Sequence, residues 1–138
     1  MNHVIFVYGT LKNGHSRNSM LQGQRYLGTA VTTPHYKIYR YGSFPALIKV
    51  SPGVRVFGEI YEIDDSCLIG LDEVEGVRQG LFFRHNVSLE RINLVSLPLH
   101  KSTSDLLLEE GCAAAYFFVD QEKLLAIKKD CGCNWVLS

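Results

Sequence analysis

The sequence predicts an α+β fold: a small, curled, β-barrel-like mixed sheet carrying one main helix. Three observations predict it. Segments rich in β-branched and aromatic residues recur along the chain, at least six of them, separated by Gly, Pro and Ser turn signals. Only residues 64–76 place apolar side chains at helical spacing between a cap and a stop. The 138 residues are 46% hydrophobic, enough for one core, since a chain this long buries roughly two-thirds of its unfolded surface on folding. No repeat, low-complexity stretch or linker divides it, so residues 1–138 read as a single domain.

Val4-Ile5-Phe6-Val7-Tyr8 reads as a buried strand stopped by Gly9, and Thr10 to Asn18 reads as a polar loop. A short helix is expected around Ser19 to Gln22. Tyr26 to Thr32 and Tyr36 to Tyr41 follow as strands, then a turn at Gly42-Ser43-Phe44-Pro45 and an apolar segment from Ala46 to Val50. Ser51-Pro52-Gly53 signals another turn. Val54 to Ile63 alternates with the period of a strand: Val54, Val56, Gly58 and Ile60 share one face. Asp64 or Asp65 then caps the main helix, which carries Cys67, Leu68, Leu71 and Val74 on one side and stops at Gly76. Phe82 to Leu89 and Cys112 to Val119 complete the strands. Arg91 to Gly111 reads as a hairpin arm plus a loop.

Fourteen basic residues balance fourteen acidic ones, with no Lys/Arg run. That leaves no electrostatic footprint for nucleic acid or an anionic membrane surface. No apolar run approaches the roughly 20 residues that span a bilayer. No charged n-region and apolar h-region stand near Met1. A soluble, cytoplasmic protein is expected, with Cys67, Cys112, Cys131 and Cys133 as free thiols. Cys131-Gly132-Cys133 is the one close pair; a redox pair or half of a zinc site is the alternative, but paired C-x-x-C spacing is missing. The five histidines show no metal-binding spacing.

Two places concentrate chemistry. At Tyr8-Gly9-Thr10-Leu11-Lys12 a glycine follows a buried strand, so the backbone can turn tightly and approach a ligand. Successive N–H groups in such a turn can form an anion-binding nest; a plain β-turn is the other reading. At Leu71-Asp72-Glu73-Val74-Glu75-Gly76 three carboxylates crowd a helix end, where the helix dipole favours cations. Crowding and burial both raise carboxylate pKa values, which suits a general base; a solvated acidic helix end is the alternative. Arg17, Arg25 and Arg84 are available to pair with carboxylates, Arg84 from within an apolar strand, and His15 lies in the first loop.

Taken in order, these features resemble the gamma-glutamylcyclotransferase superfamily, and most nearly its gamma-glutamylamine cyclotransferase and AIG2-like branch. Val7-Tyr8-Gly9-Thr10-Leu11-Lys12 is similar to the family's N-terminal Tyr-Gly-Ser/Thr-Leu signature, with Gly14, Asn18 and Leu21 after it. Phe44-Pro45 resembles a Tyr/Phe-Pro turn, and Gly58-Glu59-Ile60-Tyr61 a Gly-Glu-Val/Leu-Tyr segment. Leu71-Asp72-x-x-Glu75 resembles the motif that carries the family's catalytic Glu, and Arg84 an Arg in the strand after it. Gly132-Cys133-Asn134-Trp135 looks like a Gly-Asp-Trp ending. Phe82 stands where the family often has Tyr, and Leu94 to Glu110 has no counterpart.

The resemblance implies a gamma-glutamylcyclotransferase-like fold acting on a small-molecule γ-glutamyl substrate. It implies Glu75 as the acid–base residue, with Glu73 as the fallback, and Tyr8, Gly9, Thr10, Leu11 and Arg84 around the substrate. It implies no metal, nucleotide or organic cofactor. The reaction would be lactam formation, releasing 5-oxoproline and an amine. Other γ-glutamyl substrates, such as γ-glutamyl amino acids, glutathione or a biosynthetic intermediate, are the nearest alternative. A binding module that has kept the pocket without the chemistry is a second, and a redox or metal protein built on the cysteines a third.

Overall fold

The apolar run near the N-terminus becomes β1 (Asn2–Val7), buried on both sides. Val4 and Phe6 enter one hydrophobic cluster, Ile5 and Val7 another. A strand covered on both faces carries a continuous apolar run rather than an alternating one, as residues 4–7 do. The computed structural model describes residues 2–8, 21–41, 44–74 and 82–118.

Six further strands are β2 (Arg25–Thr32), β3 (Tyr36–Tyr41), β4 (Phe44–Lys49), β5 (Phe57–Asp64), β6 (Phe82–Leu94) and β7 (Cys112–Phe118). They hydrogen-bond in the order β1-β5-β2-β6-β7, and β7 returns to β1 through the parallel pair Ile5 and Ala114. Five strands thereby close a mixed barrel, which removes its open edges. The β3–β4 hairpin extends from β7 through Leu47 and Phe117.

Inside the barrel, Phe6, Leu27, Ile38, Val56, Ile60 and Val87 pack together. The alternation read across 54–60 is the one observed, although the continuous strand begins at Phe57 and Val54 makes only an isolated bridge to Tyr36. Gly58 is required there: a Cβ would lie 2.5 Å from the Phe6 ring and 2.6 Å from the Val7 carbonyl oxygen. Gly28, at φ +149°, sits where β2 shifts register against β5, and a Cβ there would collide with the Asn93 backbone. Both fit the use of strand glycine where two backbones approach closely.

The main helix, α1 (Asp65–Val74), covers the outer face of β1 and β5. Leu68 and Leu71 bury against Ile5, Val7, Tyr61 and Ile63, while Ile69 stays 61% exposed. Asp64 is the cap: its Oδ1 accepts the Cys67 backbone N–H at 2.8 Å, three residues on. Asp64→Ala is expected to cost about 1 kcal/mol of stability. Chemical denaturation checks this, and an unchanged midpoint would mean that water replaces the cap.

Two readings of the sequence are corrected. Phe44 and Pro45 are not turn residues: they open β4, paired with Tyr41 and Arg40. Pro is tolerated at a strand's start; Gly42 and Ser43 lie outside the described residues. Residues 91–111 are also more regular than a hairpin arm plus a loop. β6 runs on to Leu94, passing Arg91 at φ 49° where its register against β2 shifts. Then α2 (Lys101–Ser104) continues into a π-helical turn, Asp105–Glu109, whose Leu107 plugs the barrel interior. At the expected short helix, Leu21 opens a turn that closes with the Gln24 N–H on the Leu21 carbonyl at 3.0 Å. Ser19, Met20, the Gly76 stop and the tail from Val119 lie outside the described residues.

Glu62 fastens α2 to this end of the barrel. It is only 2% exposed. Its carboxylate accepts the Thr103 hydroxyl at 2.5 Å, the Leu99 N–H at 2.9 Å and the His100 N–H at 3.2 Å. Burial alone would push its pKa up, but these three donors, with the His100 ring beside them, hold it below the usual value. No helix among the described residues is long and apolar enough to cross a membrane.

Candidate active site

Tyr8 leaves β1 and turns inward. It is 6% exposed and packs in the barrel-interior cluster with Val4 and Phe6. Gly9, Thr10 and Leu11, expected to form the anion nest, lie outside the described residues, as do Glu75, His15 and Arg17.

The helix that leads to Glu75 is described as far as Val74. Its packed face runs through Leu68 and Leu71, both buried, whereas Glu73 is exposed. In sequence, the i, i+3, i+7 repeat from Leu68 through Leu71 arrives at position 75 and not at 73. Glu73, the fallback base, therefore belongs to the solvent side of the helix.

No basic residue stands in the last turn of α1. The missing cation comes across space. Arg84 Nε donates to Asp72 Oδ1 at 3.2 Å, with the two side chains 34% and 24% exposed. Along β6, Val87 and Leu89 point into the barrel, so the alternation of a strand sends Arg84 and Asn86 outward. Tyr8 and Arg84 thus sit on opposite faces of the barrel wall. A role for Asp72 was missed in the sequence beyond its place among three crowded carboxylates. The available signal was the Leu71-Asp72-x-x-Glu75 spacing, in which 72 and 75 are three residues apart in the sequence.

The opposite end of α1 is tied to the barrel as well. His3 Nε2 lies 2.6 Å from Asp65 Oδ1, and that hydrogen bond is the main cause holding the Asp65 carboxyl below its ordinary pKa. His3 and Arg84 both line an open cavity of about 280 Å³, together with Val4, Asn86, Thr103 and Leu106 among others. Arg25, considered as a carboxylate partner, instead donates from Nε to the Leu97 carbonyl at 2.8 Å.

Neither Cys67 nor Cys112 is in a disulfide. Burial, then the charge of Asp64, pushes the Cys67 pKa up. That keeps the thiol protonated and unsuited to nucleophilic attack. Among the described residues no three His, Cys, Asp or Glu side chains gather to hold a metal; Cys131 and Cys133 lie outside them.

A family model described as "Gamma-glutamyl cyclotransferase, AIG2-like" matches residues 5–131. A Vibrio cholerae serotype O1 protein whose name carries the term gamma-glutamylcyclotransferase is 40% identical over 77 residues, 56% of this chain and 65% of that protein. The gamma-glutamylaminecyclotransferase of Bos taurus is 39% identical over 79 residues, 51% of this chain and 47% of that protein. The aligned stretch thus spans from about half to just under two-thirds of these relatives' lengths. Among solved structures, an AIG2-like protein from Mus musculus superposes with a TM-score of 0.66 at 22% identity, covering 90% of this chain and 82% of that one. At that identity the likeness is one of fold.

Proposed function

The chain belongs to the gamma-glutamyl cyclotransferase, AIG2-like family, and from that premise we propose that it cyclises a γ-glutamyl amine or peptide to 5-oxoproline. The α-amine of the γ-glutamyl group attacks its own γ-carbonyl. A lactam C–N bond forms and the amide C–N bond to the leaving amine breaks; the α-ammonium gives up two protons in becoming a lactam N–H, and both end on the departing amine, which leaves as an ammonium. The reaction needs no oxidant, reductant or co-substrate.

Nucleophile and electrophile share one substrate, so the protein's task is to bend the substrate and move protons. Holding reactive groups in line can supply roughly 7–11 kcal/mol of the barrier. Glu75 takes a proton from the attacking α-nitrogen and returns it to the leaving nitrogen, as one carboxyl can do in successive steps for each of the two protons. The Gly9-Thr10-Leu11 turn receives the substrate α-carboxylate or the developing oxyanion with its N–H groups. Tyr8 forms the wall beneath that turn. This chemistry is set in the cytoplasm, in keeping with four cysteines that need no oxidising compartment.

The observation that carries the proposal is the family match over residues 5–131, a span that includes both the Tyr8–Leu11 turn and Glu75. It is tested by incubating the protein with γ-glutamyl-ε-lysine, γ-glutamyl-alanine and glutathione and measuring the released amine. Release from one of the three is expected, and the responsive substrate fixes the leaving group. Binding of 5-oxoproline by a protein that releases amine from none would replace the enzyme by a binding module.

A further inference from the structure

We propose that Arg84 and Asp72 act together as a positioning pair that sets the catalytic end of α1 against the barrel, so that Arg84 serves the reaction through the helix and not through the substrate. The inference rests on the reading of Glu75 as the acid–base residue.

Four observations carry it. The last turn of α1 has acidic residues and no basic one, an arrangement opposed by the helix dipole. Arg84 supplies the absent cation from β6, 3.2 Å from Asp72. Asp72 stands three residues before Glu75 in the sequence, the spacing at which side chains on a helix are neighbours. Arg84 points to the outer wall, whereas Tyr8, at the start of the proposed substrate turn, points into the barrel. An arginine fork held by a carboxylate fixes direction as well as distance. A strand in a closed barrel is a rigid anchor for the end of a helix. The carboxylate of a general base must lie within hydrogen-bond reach of its proton, and a misplacement of about 1 Å can cost roughly a hundredfold in rate.

The test is a double-mutant cycle on the full chain with Asp72→Asn, Arg84→Met and both together, and with Arg84→Lys as the conservative variant. Kinetics are read as 5-oxoproline release from the substrate identified by the panel. Each single variant is expected to lower kcat by about a hundredfold with KM within about threefold. The double variant should be no slower than either single, because one interaction is removed only once. Arg84→Lys should recover part of kcat. Each variant should unfold close to the wild type, as exposed ion pairs contribute little stability. An Arg84→Met variant that raises KM while Asp72→Asn behaves as wild type would overturn the pair and place Arg84 on the substrate.

A second readout needs no substrate. In protein labelled at the Glu side-chain carboxyl carbons, the NMR titration midpoint of Glu75 is expected to rise in Arg84→Met, which removes a cation, and to fall in Asp72→Asn, which removes a neighbouring anion. An unmoved midpoint in both would overturn the proposal. If the wild type releases no 5-oxoproline, the reading of the reaction fails while this titration still decides the coupling.

Discussion

A Glu75→Gln variant is expected to fold as the wild type does and to lose turnover by about two to four orders of magnitude. The substitution keeps the size and hydrogen-bonding reach of the side chain and removes its ability to accept the proton of the α-ammonium. The loss should fall on kcat, since the residues proposed to receive the substrate, Tyr8 to Leu11, are untouched. Glu73→Gln is the matched comparison. Glu73 is exposed, on the solvent side of α1, and its variant should keep activity within about threefold. Steady-state kinetics on both variants, with circular dichroism to check folding, measures the difference. Equal losses in the two would mean a shared electrostatic effect of the acidic helix end instead of a base at position 75.

The second large effect is on stability. Glu62→Ala is expected to destabilise the fold by about 3 kcal/mol. It strands three donors, the Thr103 hydroxyl and the Leu99 and His100 N–H groups, in a site where the carboxylate is 2% exposed. The direction of the pKa shift sets the sign of the pH dependence. The Glu62 pKa is held below its ordinary 4.5 in the folded protein. Its contribution is therefore fully present above that value and is lost as pH falls through the lower, folded one. The gap between wild type and Glu62→Ala should be widest near neutrality and should narrow below about pH 4. Urea unfolding at neutral and acid pH measures it; a gap that stays constant would mean that the donors, and not the charge, set the cost.

The parts of this fold that were legible in the sequence are those written in local period. Residues 4–8, 54–63 and 64–74 announce strand, strand and helix because side-chain alternation or a capped apolar stripe is a property of neighbours in sequence. Barrel closure was legible only as a tendency of many short strands. The contact that makes it, Ile5 with Ala114, joins the first described strand to the last, and nothing local encodes it. Residues 91–111 were opaque for a different reason. A bulge at Arg91 breaks the alternation, and Pro98 interrupts the chain beyond the strand. A four-residue helix running into a π-helical turn is then too short and too irregular to establish a period. Phe44-Pro45 misled because a proline after an aromatic residue reads as a turn even where it opens a strand.

The candidate site was legible as motif more than as geometry. Tyr8, Gly9, Thr10, Leu11 and Glu75 were picked out by residue type and order. The pairing of Asp72 with Arg84 was not, because it crosses from helix to strand, and one sequence cannot tell a structural partner for Arg84 from a substrate contact. The carboxylate clamp at Glu62 was equally hidden: Glu62 lies in a segment that already reads well as a strand, and its three donors come from the stretch that resisted reading.

The central claim is ring closure by the substrate's own amine. The measurement that reaches it most directly is the identity of the acyl product formed in heavy-oxygen water. Intramolecular attack excludes solvent from the new bond, so the product should be 5-oxoproline, cyclic and free of the heavy isotope. Free glutamate carrying one heavy oxygen atom in its side-chain carboxylate would mean that water is the nucleophile, and would contradict the account.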